Sequence, residues 1–194
     1  MHAVKIFIKT SLLLLLMESC GSSKKTTGPQ QGGTITVTTN TTPHYDSLQV
    51  KYAAYLNVSP GSVVNLRLYR FIDGWMGTPY KWGGTDHKGI DCSAFMQRLL
   101  AEVYDIHLPR TSVQQFFTEW VDKFSGSEYL AEGDLVFFHT QNDGVITHVG
   151  LYLANDQFVN ASVGHGVSLS NLKDPYWKKC FVGAGRVKRS LADK

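Results

Sequence analysis

The chain has 194 residues, of which 43% are apolar and 18% charged, with a formal net charge of +3. That is material for one domain with a real core plus appendages, and it excludes a disordered chain. The near-neutral balance, with no clustered basic residues, excludes a nucleic-acid binder.

The N-terminus reads as a secretory signal over residues 1–19. Lys5 and Lys9 flank the start of an apolar run, Ser11–Met17, which is shorter than the roughly 20 residues needed to span a bilayer. The run ends in LMESC. Cys20, directly after it, resembles the lipidated cysteine of bacterial lipoproteins, although Glu18 stands where a small residue is expected. A lipid on Cys20 predicts membrane attachment, and residues 20–45 follow as a tether rich in Thr, Gly, Ser and Gln. Such a stretch cannot bury enough surface to fold, and its mean reach is on the order of 25–30 Å.

Residues 46–190 read as the folded domain. Asp46–Leu56 is predicted to be helical, with Leu48, Tyr52, Tyr55 and Leu56 on one side. After the SPGS turn at 59–62, a second helix is expected over Ser62–Met76 with Ser62 as its N-cap. The glycine-rich loop GTPYKWGG comes next. A third helix is predicted over Cys92–Tyr104. Phe95, Met96, Leu99, Leu100 and Val103 form its single apolar stripe, and Asp91 stands at its N-cap. A fourth is expected near Ser112–Val121. Beyond Gly126 the texture changes to short β-rich runs at 135–139, 147–154, 157–162, 166–172 and 181–188, separated by Gly, Asn and Asp. Helices first and a meander of strands later predict an α+β fold.

Cys92 at the mouth of a helix raises a chemical question. The aligned peptide dipoles there favour a thiolate, which is a nucleophile that needs a base and an orienting group. Of seven histidines, His148 is set apart. It lies within THVGLYLA, on the strand face opposite Val149, Leu151 and Leu153, beside Gly150, which is expected to leave space next to the ring. A three-residue or bulged hairpin at Ala154–Asp156 sets Gly150 opposite Asn160 and makes His148 its diagonal neighbour. A two-residue loop without a bulge turns His148 away. The register that joins His148 to Asn160 also collects Val149, Leu151, Val159 and Ala161 on the core face. It requires a left-handed residue at Asn155 or Asp156. Cys, His, Asn in that chain order is a papain-like arrangement. Zinc chemistry lacks H-x-x-x-H or C-x-x-C spacing, and Asp86 and Asp91 fit loop and cap duties better than paired-carboxylate catalysis. No metal or cofactor is expected. In an exported protein Cys92 and Cys180 could pair, unless Cys92 is kept free for catalysis.

GTPYKWGGTDHKGIDCSAFMQ, LPRTSVQQ, EGDLVFF, THVGLYLANDQFVNAS and DPYWKK resemble the NlpC family of bacterial cell-wall cysteine peptidases, and within it the Spr-type lipoprotein murein endopeptidases. The likeness runs from about Leu66 to Lys188. It implies a papain-like α+β domain that acts on peptidoglycan stem peptides, with N-terminal helices packed on an antiparallel sheet. It also implies a monomer, lipid-anchored in the cell envelope on the periplasmic face of the outer membrane of a Gram-negative bacterium. Cys92 becomes the nucleophile, His148 the base and Asn160 the third catalytic position, where Spr-type relatives carry His. Tyr80 is the implied oxyanion helper, Asp91 and Ser93 are implied to line the substrate groove, and Arg110 to assist there. The bond implied is γ-D-glutamyl–diaminopimelate or D-alanyl–diaminopimelate. A wall-binding lipoprotein without catalysis, or an acyltransferase or amidase on the same thiol, are the alternatives.

Overall fold

A computed structural model of the chain describes residues 44–141 and 144–188. The signal segment, Cys20 and the tether up to residue 43 lie outside the described residues. Helix α1 (Ser47–Leu56) begins at a capping box. The Asp46 carboxylate accepts from the Leu48 N–H, and Gln49 reaches back to the Asp46 N–H. Tyr52, Ala53 and Leu56 are its buried residues, whereas Tyr55 is half exposed, against the expected stripe. Helix α2 (Leu66–Trp75) starts later than expected. Pro60–Ser62 forms a 3-10 turn, and the cap is Asn65, which accepts from the Leu68 N–H, rather than Ser62. Helix α3 (Cys92–Tyr104) buries eight residues, including the whole stripe from Phe95 to Val103. The fourth helix, α4 (Ser112–Phe117), is shorter than expected. Val121 instead opens a strand.

Two sheets are present among the described residues. The small one pairs β1 (Thr85–Asp86) with β2 (Gly89–Ile90). The large one is antiparallel and comprises β3 (Val121–Phe124), β4 (Leu135–Phe138), β5 (His148–Ala154), β6 (Gln157–Ser162), β7 (Gly166–Asn171) and β8 (Phe181–Val187), in the order β3-β8-β4-β5-β6-β7. Helix α3 packs on β5 and β6. The architecture is α+β, as the order of helical and strand patterns predicts.

The sheet is buried on both faces. On one, Leu135, Phe137, Val149, Leu151, Val159 and Ala161 join α1, α2 and α3 in the main core. On the other, Val136, Phe138, Phe158 and Ala184 meet Trp177 and Cys180 of a short helix, α5 (Pro175–Cys180). The face carrying His148 is therefore not the open polar face expected. It is a second apolar layer, closed by α5.

The β5–β6 hairpin has the register that joins His148 to Asn160. Leu151 pairs with Val159 and Tyr152 with Phe158. The register then shifts by one before Ala154 meets Gln157. Asn155 and Asp156 both adopt positive φ, 47° and 65°, and form a two-residue turn, so the extra residue is a bulge at Leu153. Asn155 is further held by donating from Nδ2 to the carbonyls of Leu56 and Asn57 at the end of α1. Gly150 does not leave open space. A Cβ there would lie 2.6 Å from the Phe158 ring and 2.8 Å from the Val159 carbonyl, so glycine is needed for close strand approach.

Candidate active site

The loop preceding α3 is fixed by backbone bonds to β2. Ile90 donates to the Pro79 carbonyl and Lys81 to the Ile90 carbonyl, while Asp91 donates to the Gly84 carbonyl. Its other flank is tied to β7, where Gly77 donates to the Val167 carbonyl and Val167 to that of Thr78. Gly166, at φ +66°, permits this. A Cβ there would come within 2.3 Å of the Thr78 oxygen. The loop residues therefore cannot drift relative to either the helix start or the sheet.

Asp91 gathers the helix start. Oδ1 accepts from the Ala94 N–H at 2.8 Å and the Ser93 hydroxyl at 3.1 Å, and Oδ2 accepts from the Gly83 N–H at 3.0 Å. Arg110 adds a bidentate pair at 3.0 and 2.5 Å and also donates to Ser93 Oγ at 2.9 Å. Burial opposes ionisation of Asp91, but Arg110, the Ala94 N–H and Ser93 together hold its carboxyl below the usual range. Asp91, Ser93 and Arg110 thus direct their polar atoms at one another and at the loop. Like Cys92 itself, they lie behind the groove that His148 lines rather than on its wall.

Cys92 and Cys180 are both free thiols and both buried. The Cys92 sulfur lies 3.9 Å from the Thr147 carbonyl oxygen, and the Val149 N–H favours its thiolate, so the backbone on either side of His148 acts on it. Its ionisation differs from the sequence expectation. Burial pushes the thiol from 9.0 up to about 11, despite the Val149, Ser93 and Cys92 N–H groups that favour the thiolate. A helix terminus contributes about 0.3–1 kcal/mol, less than one pK unit, and desolvation outweighs it here.

His148 opens β5 and is buried, as is Asn160 on β6. His148 Nε2 lies 3.1 Å from Asn160 Oδ1. Asn160 Nδ2 donates to Ser170 Oγ on β7 at 2.9 Å, which leaves Oδ1 as the acceptor toward the imidazole. Nε2 then carries the ring proton and Nδ1 is the basic nitrogen. Trp177 stacks on the ring, with centroids 5.1 Å apart and planes 28° apart, and Phe138 lies at 5.9 Å. Burial in this aromatic setting lowers the His148 pKa to about 4, the Asn160 bond opposing only part of the shift. The resting pair is therefore a neutral thiol and a neutral imidazole. Tyr80, half-buried, has its phenol pKa raised by burial first and then by Cys92 and Asp91, so it remains a protonated donor.

Ser170 and Trp177 escape sequence reading. Ser170 follows from the β6–β7 register, which pairs Asn160 with Ser168 two residues away. Trp177 sits in a six-residue helix too short to show periodicity. The groove beside His148 has a volume of about 870 Å³ and is lined by Tyr80, Trp82, Thr147, Ser168 and Tyr176 among others. Among the described residues no three His, Cys, Asp or Glu side chains gather in a way that could hold a metal ion.

The "NlpC/P60 family" model matches residues 77–186, which include Cys92, His148 and Asn160. The chain is 45% identical over 113 residues to a "Probable endopeptidase NlpC homolog" of Haemophilus influenzae, covering 58% of this chain and 57% of that protein. It is 38% identical over 141 residues to the "Murein DD-endopeptidase MepS/Murein LD-carboxypeptidase" of Escherichia coli, covering 73% of this chain and 72% of the relative. Among solved structures, an NLP/P60-family, lipoprotein-like protein of Staphylococcus aureus superposes with a TM-score of 0.56 at 32% identity, over 63% of this chain and 41% of that one. The NlpC/p60 domain of the peptidoglycan hydrolase SagA does so at 0.52 and 26% identity, over 64% of this chain and all of that one. With a family model spanning more than half its length and relatives of this similarity, the chain belongs to the NlpC/P60 family.

Proposed function

We propose that this protein is a peptidoglycan endopeptidase that hydrolyses an amide bond in murein stem peptides through Cys92, His148 and Asn160. The observation that carries the reading is local. A cysteine at the start of α3 rests against the backbone flanking a buried imidazole, which lines a groove large enough for a ligand and whose far nitrogen is held by Asn160. The name of the Escherichia coli relative supports the D-alanyl–diaminopimelate bond of a cross-link as the target. Cys20 as a lipid anchor at the cell envelope belongs to the same reading.

The reaction starts from the neutral pair. As the substrate carbonyl approaches, the thiol proton passes to His148 Nδ1 and the sulfur attacks the carbonyl carbon. The oxyanion receives donors from the Tyr80 hydroxyl and the Cys92 N–H. The imidazolium, held by Asn160, gives its proton to the departing amine. Water then attacks the thioester while His148 takes its proton, which frees the stem peptide carboxylate and restores the thiol. In this scheme Asp91, Ser93 and Arg110 position the helix start that presents the sulfur.

Digestion of purified peptidoglycan, followed by mass analysis of the fragments, tests the proposal, with Cys92→Ala as control. New amine ends on diaminopimelate that vanish in the variant are expected. Fragments released equally by wild type and variant would refute it.

A further inference from the structure

Trp82 is 81% exposed, yet it is not on a loose segment. Gly84 donates to the Lys81 carbonyl at 2.9 Å, closing a four-residue turn in which Gly83 has φ +72°, the conformation a type II turn requires at its third residue. Asp91 grips the Gly83 N–H, and a Cβ on Gly84 would lie 2.2 Å from the Gly89 carbonyl. The backbone at Trp82 is therefore fixed, and its indole stands out in solvent at the rim of the His148 groove. Tyr176, 53% exposed, lines the same groove from α5. Two large exposed rings at one groove mark a surface for a ligand.

The lining indicates which ligand. Besides the rings it offers hydroxyls and an amide, including Ser162, Ser168 and Gln141. Among the described residues no lysine or arginine lines it, and Asp174 is its only acid. An anionic peptide meets no lysine or arginine here, only the imidazoles of His148 and His165. A neutral ring with an apolar C–H face and hydroxyl or acetamido groups at its edge matches both features. The C–H face lies on an aromatic plane and the polar edge meets the hydroxyls.

We propose that this outer groove is a saccharide subsite, in which Trp82 and Tyr176 stack an N-acetylhexosamine ring of the glycan strand while the attached peptide reaches Cys92. The proposal rests on the murein reading above and adds a glycan contact to it. Chitotetraose, a neutral oligomer of N-acetylglucosamine without peptide, is the probe. Titrated into the full chain, it is expected to shift the indole N–H resonance of Trp82, assigned by its loss in Trp82→Ala. Trp82→Ala and Tyr176→Ala should each weaken binding about tenfold or more. An unmoved Trp82 resonance at millimolar probe, or equal binding by wild type and both variants, overturns the subsite. A second arm compares cleavage of polymeric murein with that of a glycan-free cross-linked peptide dimer. Trp82→Ala should lower the ratio of the two rates about tenfold. An equal loss on both substrates means that the ring contacts peptide, and refutes the saccharide assignment. Failure of the wild type to cleave either substrate counts against the endopeptidase reading, and the binding arm still decides the subsite.

Discussion

The buried imidazole of His148 makes stability depend on pH in a defined window. Its pKa is lowered from 6.5 to about 4 by burial, so the unfolded chain binds this proton more tightly than the folded one. Above pH 6.5 neither state is protonated and the full stability is present. As pH falls from 6.5 towards 4, only the unfolded state gains the proton and stability drops. Below about 4 both states bind it and the loss levels off. Linkage with these two values gives a loss of about 2 kcal/mol by pH 5 and about 3 kcal/mol by pH 4. That is a large share of the roughly 5–15 kcal/mol typical of a domain. Asp91 does not confuse the window. Its carboxyl is lowered from 3.8, so the stability it contributes is lost only as pH falls below that value. Urea unfolding followed by tryptophan fluorescence at fixed pH steps measures the effect. His148→Gln, which cannot titrate but retains a polar group toward Asn160, should be free of the loss between pH 6.5 and 4. Equal slopes for wild type and variant would refute the reasoning.

Other expectations concern the same site. Arg110→Ala leaves the Asp91 carboxylate without its charged partner. Because the guanidinium is 40% exposed, the cost should be about 2 kcal/mol, below the 3–5 typical of fully buried pairs, as measured by chemical denaturation. Asn160→Ala frees the imidazole to choose its tautomer and should lower kcat by about 10²-fold with little change in KM, and Ser170→Ala should lower it less, in steady-state assays on cross-linked muropeptides. Iodoacetamide should label Cys92 slowly at pH 7 and faster as pH rises toward 11, as read by peptide mass mapping. A rate that levels off near pH 7 would show a thiolate the structure does not support.

Helix α3 and the β5–β6 hairpin are legible in the sequence because several local signals agree there. Asp91 caps an unbroken stripe, and the Asn155–Asp156 turn with its bulge is the solution that buries Val149 and Val159 while joining His148 to Asn160. The α2 start is misread because Ser62 and Asn65 are both plausible caps and the 3-10 turn at Pro60 consumes the first. Strand β3 is hidden for another reason. VDKF has only one buried residue, and its partner β8 lies some sixty residues away. The ionisation of Cys92 is misjudged because the helix start is a local cause and burial a tertiary one. The open face expected around His148 is closed by Trp177, whose contacts are set by packing rather than by pattern.

The most direct measurement is an acid quench of the protein during turnover of a cross-linked muropeptide dimer, followed by peptide mapping. The expected result is a Cys92 peptide heavier by the acyl donor stem, with the adduct and the products both absent in Cys92→Ala. Cleavage of the dimer by Cys92→Ala, or an acyl adduct on Cys180 instead, would contradict it.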